Sequence, residues 1–202
     1  MNVNTLRSAV LFMLLGLWSQ IYGVYIIRDA CLDDKNKILA LYRKCNKWYS
    51  DCTADSNLVS KCEVSSKLLA AFNHGFALVV EDLSKENEGA IIAFLFKNRP
   101  IGKGYCHIVD CSLSCVDRDF LGEMLMTELY VHLLNEIKEY YPDILRVEGV
   151  SPVSAVESIA MFERCGFVKE CVRTKCVRRS DGSFDDEMLL VWWNPNFDPA
   201  AR

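Results

Sequence analysis

Between Ile144 and Trp193 the chain reads as a strand, a helix and two further strands in immediate succession, an order that constrains the fold more than any other feature. ILRVEGV (Ile144 to Val150) is a short apolar run. SAVESIAMFERCGF (Ser154 to Phe167) places Ile159, Phe162 and Cys165 on one helical face and Gly166 where a left-handed C-cap belongs. The tail from Val168 to Trp193 has the pattern of a hairpin, with Asp181-Gly182 as a two-residue turn signal. Few α/β architectures use this order.

Upstream, VYIIRDA (Val24 to Ala30) reads as a first strand, and DDKNKILALYRKCNKWY as a helix with Ile38, Leu39, Leu41 and Tyr42 on its inner side. The acids at its start suit the helix dipole. A polar connection, SDCTADSNLVSKCEVSS, leads to a short helix around Lys67 to Phe72. GFALVVED and GAIIAFLFK are two strands split by a charged turn, and GYCHIVDCSLSC is read as a third, continuous one. No repeat, low-complexity tract or linker divides the chain. With 202 residues, 51% of them hydrophobic, it buries a sizeable core without a metal or a staple, so residues 24–197 form one domain and 198–202 a tail. A net charge of −4 gives no general attraction to nucleic acid or anionic membranes. The basic run VRTKCVRR (Val172 to Arg179) reads as the solvated edge of the hairpin.

This layout resembles the GNAT superfamily of acyl-CoA-dependent N-acyltransferases over residues 24–193. The later motif there has Asn, Ala three residues on, Tyr seven residues on and a closing Gly-Phe; here those places read Ala155, Ser158, Phe162 and Gly166-Phe167. The resemblance implies an α/β fold with a single, mixed, mostly antiparallel sheet, helices on both faces and a splayed strand pair. It implies acetyl-CoA as co-substrate, its pantetheine arm lying in the splay and its pyrophosphate on the N-terminus of the helix FLGEMLMTELYVHLLNEIKEYY. Ser112, Ser114, Arg118, Leu121, Gly122, Glu123 and Ala155 would line that cofactor site.

The family's phosphate loop is Arg or Gln, two variable residues, Gly, one variable residue, then Gly or Ala. Aligned on Asp117 to Gly122, only the last position matches; Phe120 stands where Gly lets a phosphate approach, and Asp117 and Asp119 oppose its charge. Arg118 restores a positive group one position late.

Acyl transfer needs a neutral amine, a polarised carbonyl and a proton for the thiolate. Phe162 cannot supply the proton that the family's Tyr gives, which leaves Ser158 or Cys165 to replace it. Asp110 is the candidate base, because unbroken strand alternation puts it on one face with Ser112 and Ser114. No metal-ligand set is expected, and His74, His107 and His132 lack motif context. Within the superfamily, WYSDCTADSNL (Trp48 to Leu58) and VEGVSPVSAVES resemble the arylalkylamine N-acetyltransferase-like branch, with Cys52 at its Glu base. A primary amine, above all a small arylalkylamine, is the acceptor this implies. Two other readings stand beside it: a non-catalytic ligand-binding GNAT fold, and a secreted, disulfide-stapled interaction protein.

The third reading rests on the N-terminus and the cysteines. MNVNTLRSAVLFMLLGLWSQIYG carries Arg7, an apolar core from Ala9 to Trp18 and a small residue, Gly23, at a cleavage position, the pattern of a secretory signal peptide over residues 1–23. Ile21 is bulky for that cut, so an uncleaved anchor of about 20 residues, and with it a membrane contact, is the alternative. Of the ten cysteines, Cys52 and Cys62 are the expected local bridge, and Cys106, Cys111, Cys165 and Cys171 are read as small buried hydrophobes. Cys111 and Cys115 cannot pair within one straight strand, where their α-carbons stand about 13 Å apart. A C-terminally tagged chain is expected to enter a membrane-bound compartment, starting at Val24 if the segment is cleaved and at Met1 if it is an anchor. N-terminal sequencing after cell fractionation decides this, and a full-length cytosolic product refutes both forms.

Overall fold

The structure, a computed structural model, describes residues 25–49, 77–84, 86–99, 105–111, 113–178 and 181–201. The N-terminal segment 1–23, the expected helix at Lys67 to Phe72, Cys52, Cys62, His74 and Ser112 lie outside the described residues. The elements run β1 (Tyr25–Asp29), α1 (Lys35–Tyr49), β2 (Ala77–Asp82), β3 (Ala90–Phe96), β4 (Ile108–Asp110), β5 (Ser114–Val116), α2 (Leu125–Tyr140), β6 (Arg146–Pro152), α3 (Val156–Arg164), β7 (Val168–Arg178) and β8 (Phe184–Trp193). Short 3-10 turns at Leu32–Asp34 and Arg118–Phe120 precede α1 and α2.

The strands form two four-stranded sheets, β1-β2-β3-β5 and β4-β6-β8-β7, where a single sheet was expected. All pairings are antiparallel except β4 with β6. The expected continuous strand through GYCHIVDCSLSC is broken in two, and its halves belong to different sheets. The break has a definite register. Ser114 pairs with Leu95 and the Phe96 N–H bonds the Leu113 carbonyl, yet Asn98 bridges Asp110, a slip of one residue that marks a β-bulge.

A one-residue slip reverses which face every later side chain takes. Val109 and Cys111 point into the core under α2 and α3, and Asp110 points the opposite way. Beyond the bulge, Ser114 stands opposite Leu95 of that same core, while Cys115 enters the second core under α1. Asp110 and Ser114 therefore lie on opposite faces, which corrects the shared face that unbroken alternation implied.

Two cores result. On one side α2 and α3 press Leu129, Tyr130, Leu133, Ile159 and Phe162 onto Leu78, Val80, Leu95 and Val147; on the other α1 presses Ile38, Leu41 and Cys45 onto Val79, Phe94 and Phe96. As expected, Ile38 and Leu41 are buried, with Leu39 and Tyr42 packed beside them. Cys111 and Cys165 are buried as expected, but Cys106 is half-buried and Cys171 exposed. Cys171 sits on β7, the edge strand of its sheet, where Lys169, Arg173 and Lys175 also face solvent. Such charges keep an open edge from pairing with other chains.

α3 ends as its sequence requires. Gly166 has φ +88°, its N–H bonds the Glu163 carbonyl, and the Phe167 N–H bonds the Phe162 carbonyl, the two bonds of a Schellman C-cap. Gly182 also has positive φ, but β7 and β8 end five residues apart, so the connection is longer than the two-residue turn expected. Inside β6, Gly149 answers a packing need instead. A Cβ there would stand 2.4 Å from Phe162 Cε1 and 2.6 Å from its Cζ. Gly149→Ala is expected to lower stability by about 1–3 kcal/mol through overpacking. Thermal or urea unfolding measures it, and an unchanged midpoint refutes the contact.

Candidate active site

The slot begins where β4 ends. The Cys111 N–H still bonds the Glu148 carbonyl at 2.9 Å, but β5 pairs only with β3, while the Gly149 to Pro152 stretch of β6 pairs only with β8. The facing edges of β5 and β6 thus diverge with their backbone polar groups turned toward one another. A bulge that ends pairing beside a helix N-terminus is a means of opening a sheet to a ligand.

That helix is α2, and its start differs from the expectation. It begins at Leu125, five residues after the expected Phe120, because the chain first makes the 3-10 turn at Arg118–Phe120 and then two left-handed steps, Gly122 at φ +95° and Met124 at φ +60°. Met124 is the N-cap and offers no capping side chain. The first intrahelical bond is from the Glu128 N–H to the Met124 carbonyl, so the Leu125, Met126 and Thr127 amides have no partner among the described residues. Three amides on the positive end of a 16-residue helix form an anion cradle. A Cβ built on Gly122 meets nothing within 4 Å, so the approach along the loop is open. Glu128, the acid of the first turn, accepts a 2.7 Å hydrogen bond from Tyr25 Oη.

The two acids expected to oppose a phosphate are neutralised from another element. Lys44 of α1 stands 2.6 Å from Asp117 and 2.8 Å from Asp119. Its ammonium holds the Asp119 carboxyl below its ordinary range, and the two carboxylates raise the lysine in turn. A groove between α1 and the β2–β3 turn contains the same lysine together with Lys37, whose Nζ bonds the Gly89 carbonyl. Both cations are committed, so that groove is not an alternative anion site.

The remaining expected site residues are spread over this frame. Leu121, Gly122 and Glu123 form the loop just before α2, and Arg118 lies one step earlier, in the 3-10 turn. Ala155 is the N-cap of α3 and Ser158 stands half-buried in its first turn. Asp110 is on the sheet face away from α2 and α3, so the sheet separates it from Ser158, and the two do not form one acid–base pair. His132 is exposed, and the His107 carbonyl accepts the Leu145 N–H.

Two groups that the sequence did not single out stand at the slot. Glu148 is the register partner of Asp110, placing two carboxylates side by side on one face. Arg146 Nε bonds Glu148 at 2.7 Å and the same guanidinium reaches Glu170. The second is Tyr130. Its ring centroid lies 4.9 Å from that of Phe162, tilted, and 5.5 Å from that of Phe167, edge-on, and its hydroxyl donates to the Cys111 carbonyl at 3.4 Å and meets the Ser114 side chain. Complete burial raises this phenol well above its ordinary pKa, so it keeps its proton. The pairing of Glu148 with Asp110 depends on strand register, and the reach of Tyr130 depends on the bulge; no motif encodes either.

A non-glycine at φ +60° is strained by about 1–2 kcal/mol, part of which glycine returns as lost chain entropy. Met124→Gly is therefore expected to raise stability by up to about 1 kcal/mol, and Met124→Val to lower it. Urea denaturation of the three proteins tests this, and the reverse order would sink the left-handed assignment.

No family model and no curated protein sequence matches the chain. Among solved structures it is similar to the ribosomal-protein-S5-alanine acetyltransferase of Vibrio fischeri, with 18% identity, 87% of this chain and 96% of that chain covered, and a TM-score of 0.69. It is also similar to a putative acetyltransferase from Salmonella typhimurium solved with its cofactor acetyl-CoA, at 16% identity, 88% and 99% coverage and a TM-score of 0.71. A GNAT superfamily phosphinothricin acetyltransferase from Sinorhizobium meliloti in complex with acetyl-CoA gives 17% identity, 86% and 90% coverage and a TM-score of 0.71. The chain has the GNAT fold.

Proposed function

We propose that this protein is an acetyl-CoA-dependent N-acetyltransferase for a primary amine, with an arylalkylamine as the favoured acceptor. The observation that carries the reading is the divergence of β5 from β6 directly beside the uncapped N-terminus of α2. The residues fit the co-substrate. The Leu125, Met126 and Thr127 amides suit its pyrophosphate, the open approach at Gly122 admits it, and Lys44 cancels the acids that would repel it. Acetyl-CoA supplies the activated acetyl thioester.

The chain's own groups supply proton handling. Asp110, with Glu148 beside it, is the acceptor for the amine's proton. Phe162 has no proton to give in return, and the proton-bearing group at the root of the slot is Tyr130 Oη, on the opposite face of the sheet from Asp110, so the two act on different atoms and not as one pair. The sequence of segment 1–23 supports placing this activity in the secretory route, or on a membrane if that segment is an anchor.

A second reading has one specific observation in its favour: Phe162 and Phe167 enclose Tyr130, a packing that serves ligand binding without turnover equally well. Calorimetric titration of acetyl-CoA into the full chain, followed by transfer assays on arylalkylamines and on peptide amines, separates the readings. Binding with transfer to the arylalkylamine, reduced about 10²-fold or more by Asp110→Asn, is the expected result. Binding without transfer to any amine leaves the second reading, and absence of binding overturns both.

A further inference from the structure

The core beneath α1 contains two cysteines for which packing alone gives no reason to be adjacent. Cys45 lies on the inner face of α1, Cys115 lies on β5, and both are buried with Ile38, Leu41 and Phe94. Their sulfurs converge on one carbonyl: Cys45 Sγ is 3.2 Å and Cys115 Sγ 3.9 Å from the Val116 oxygen. Each thiol is also the neighbour that most shifts the acidity of the other. Cys111 is separated from this pair by the sheet, because the bulge sends it into the core under α2.

We propose that Cys45 and Cys115 are the two ends of a disulfide that ties α1 to β5 when the chain folds in the presence of a disulfide oxidant. Both sulfurs are buried in the folded protein, so the exchange takes place before α1 has docked, when either cysteine, here Cys45, attacks as its thiolate. It bonds to one sulfur of a low-molecular-weight disulfide such as oxidised glutathione and displaces the other sulfur as a thiolate, which takes up a proton. Cys115 then loses its proton, attacks the Cys45 sulfur and displaces the second glutathione. Two protein S–H groups give up two electrons and two protons, and one glutathione disulfide becomes two thiols.

The bond would close a loop of about 70 residues, a span long enough for large stabilisation. It would also lie next to the Lys44 pairs with Asp117 and Asp119, so a covalent tie and two ion pairs would fix the start of the loop leading to α2. Nothing in this proposal depends on acetyl transfer.

The test starts from the full chain, reduced and unfolded, and refolds it in a buffer of oxidised and reduced glutathione. Remaining thiols are blocked with N-ethylmaleimide, and the unreduced digest is mapped by mass spectrometry. A peptide pair joining Cys45 to Cys115 is the expected result, together with a Tm roughly 5–15 °C above that of the fully reduced chain. Cys45→Ser and Cys115→Ser should each abolish that pair and most of the Tm increment. Finding both cysteines carrying maleimide, or each joined to a different cysteine, in the oxidised folded protein overturns the assignment, and this readout on the wild-type chain does not depend on whether a variant folds.

Discussion

The one-residue slip between β4 and β5 is the constraint on which the rest of this structure depends. Without it, the run from Ile108 to Val116 would be a single strand hydrogen-bonded to β3 on one side and β6 on the other, and no slot would exist. With it, the first half belongs to the sheet containing β6 and the second half to the sheet containing β3. The same slip sends Cys111 into one core and Cys115 into the other, leaving Asp110 on the face away from α2. One inserted residue thereby opens the sheet, sorts the side chains and sets which groups can meet a bound ligand.

What closes the root of that opening is aromatic packing. Tyr130, Phe162 and Phe167 stand 4.9–5.5 Å apart by ring centroid, two of the three contacts edge-on, a geometry in which each ring presents its positive rim to a neighbour's face. The cluster requires Gly149, since any side chain there would occupy the space of the Phe162 ring. Loss of the motif's tyrosine hydroxyl at position 162 is therefore coupled to a second aromatic whose hydroxyl ends at the strand break.

Legibility in the sequence followed how local each cause was. The helix at Val156–Arg164, its Gly166 cap and the two strands after it are set by neighbours in the chain and are legible there, although the turn between the strands is longer than Asp181-Gly182 implies. The first strand and the inward face of α1 were legible for the same reason, through periodicity. The bulge was not, because CSLSC contains no Gly or Pro to punctuate the run. The start of α2 was misplaced because Met124 adopts a conformation that glycine usually marks, and Gly122 alone was read as the end of a phosphate motif rather than as a stop before the helix. Cys171 was placed inside because its apolar neighbourhood hid its position on an edge strand. Of the candidate site residues, the loop before α2 came from the resemblance and Asp110 from strand alternation, whereas Glu148 and Tyr130 required the register of β4 against β6 and the break itself.

The loop before α2 illustrates why residue identity at a motif is a weaker guide than the electrostatics of its surroundings. By sequence, Asp117 and Asp119 place two negative charges at the approach to an anion cradle. In the fold, a lysine more than 70 residues earlier reaches both, and the charge a ligand meets there is reduced without any change in the loop. That compensation holds only while α1 stays docked on β5, so the charge of the loop depends on helix docking and not on the loop alone. Exposed ion pairs are individually weak, so the docking depends chiefly on the apolar contacts of Ile38, Leu41 and Cys45 with Phe94 and Cys115. The core on one face of the sheet therefore holds in place the lysine that offsets the charge of the loop leading to the helix on the other face.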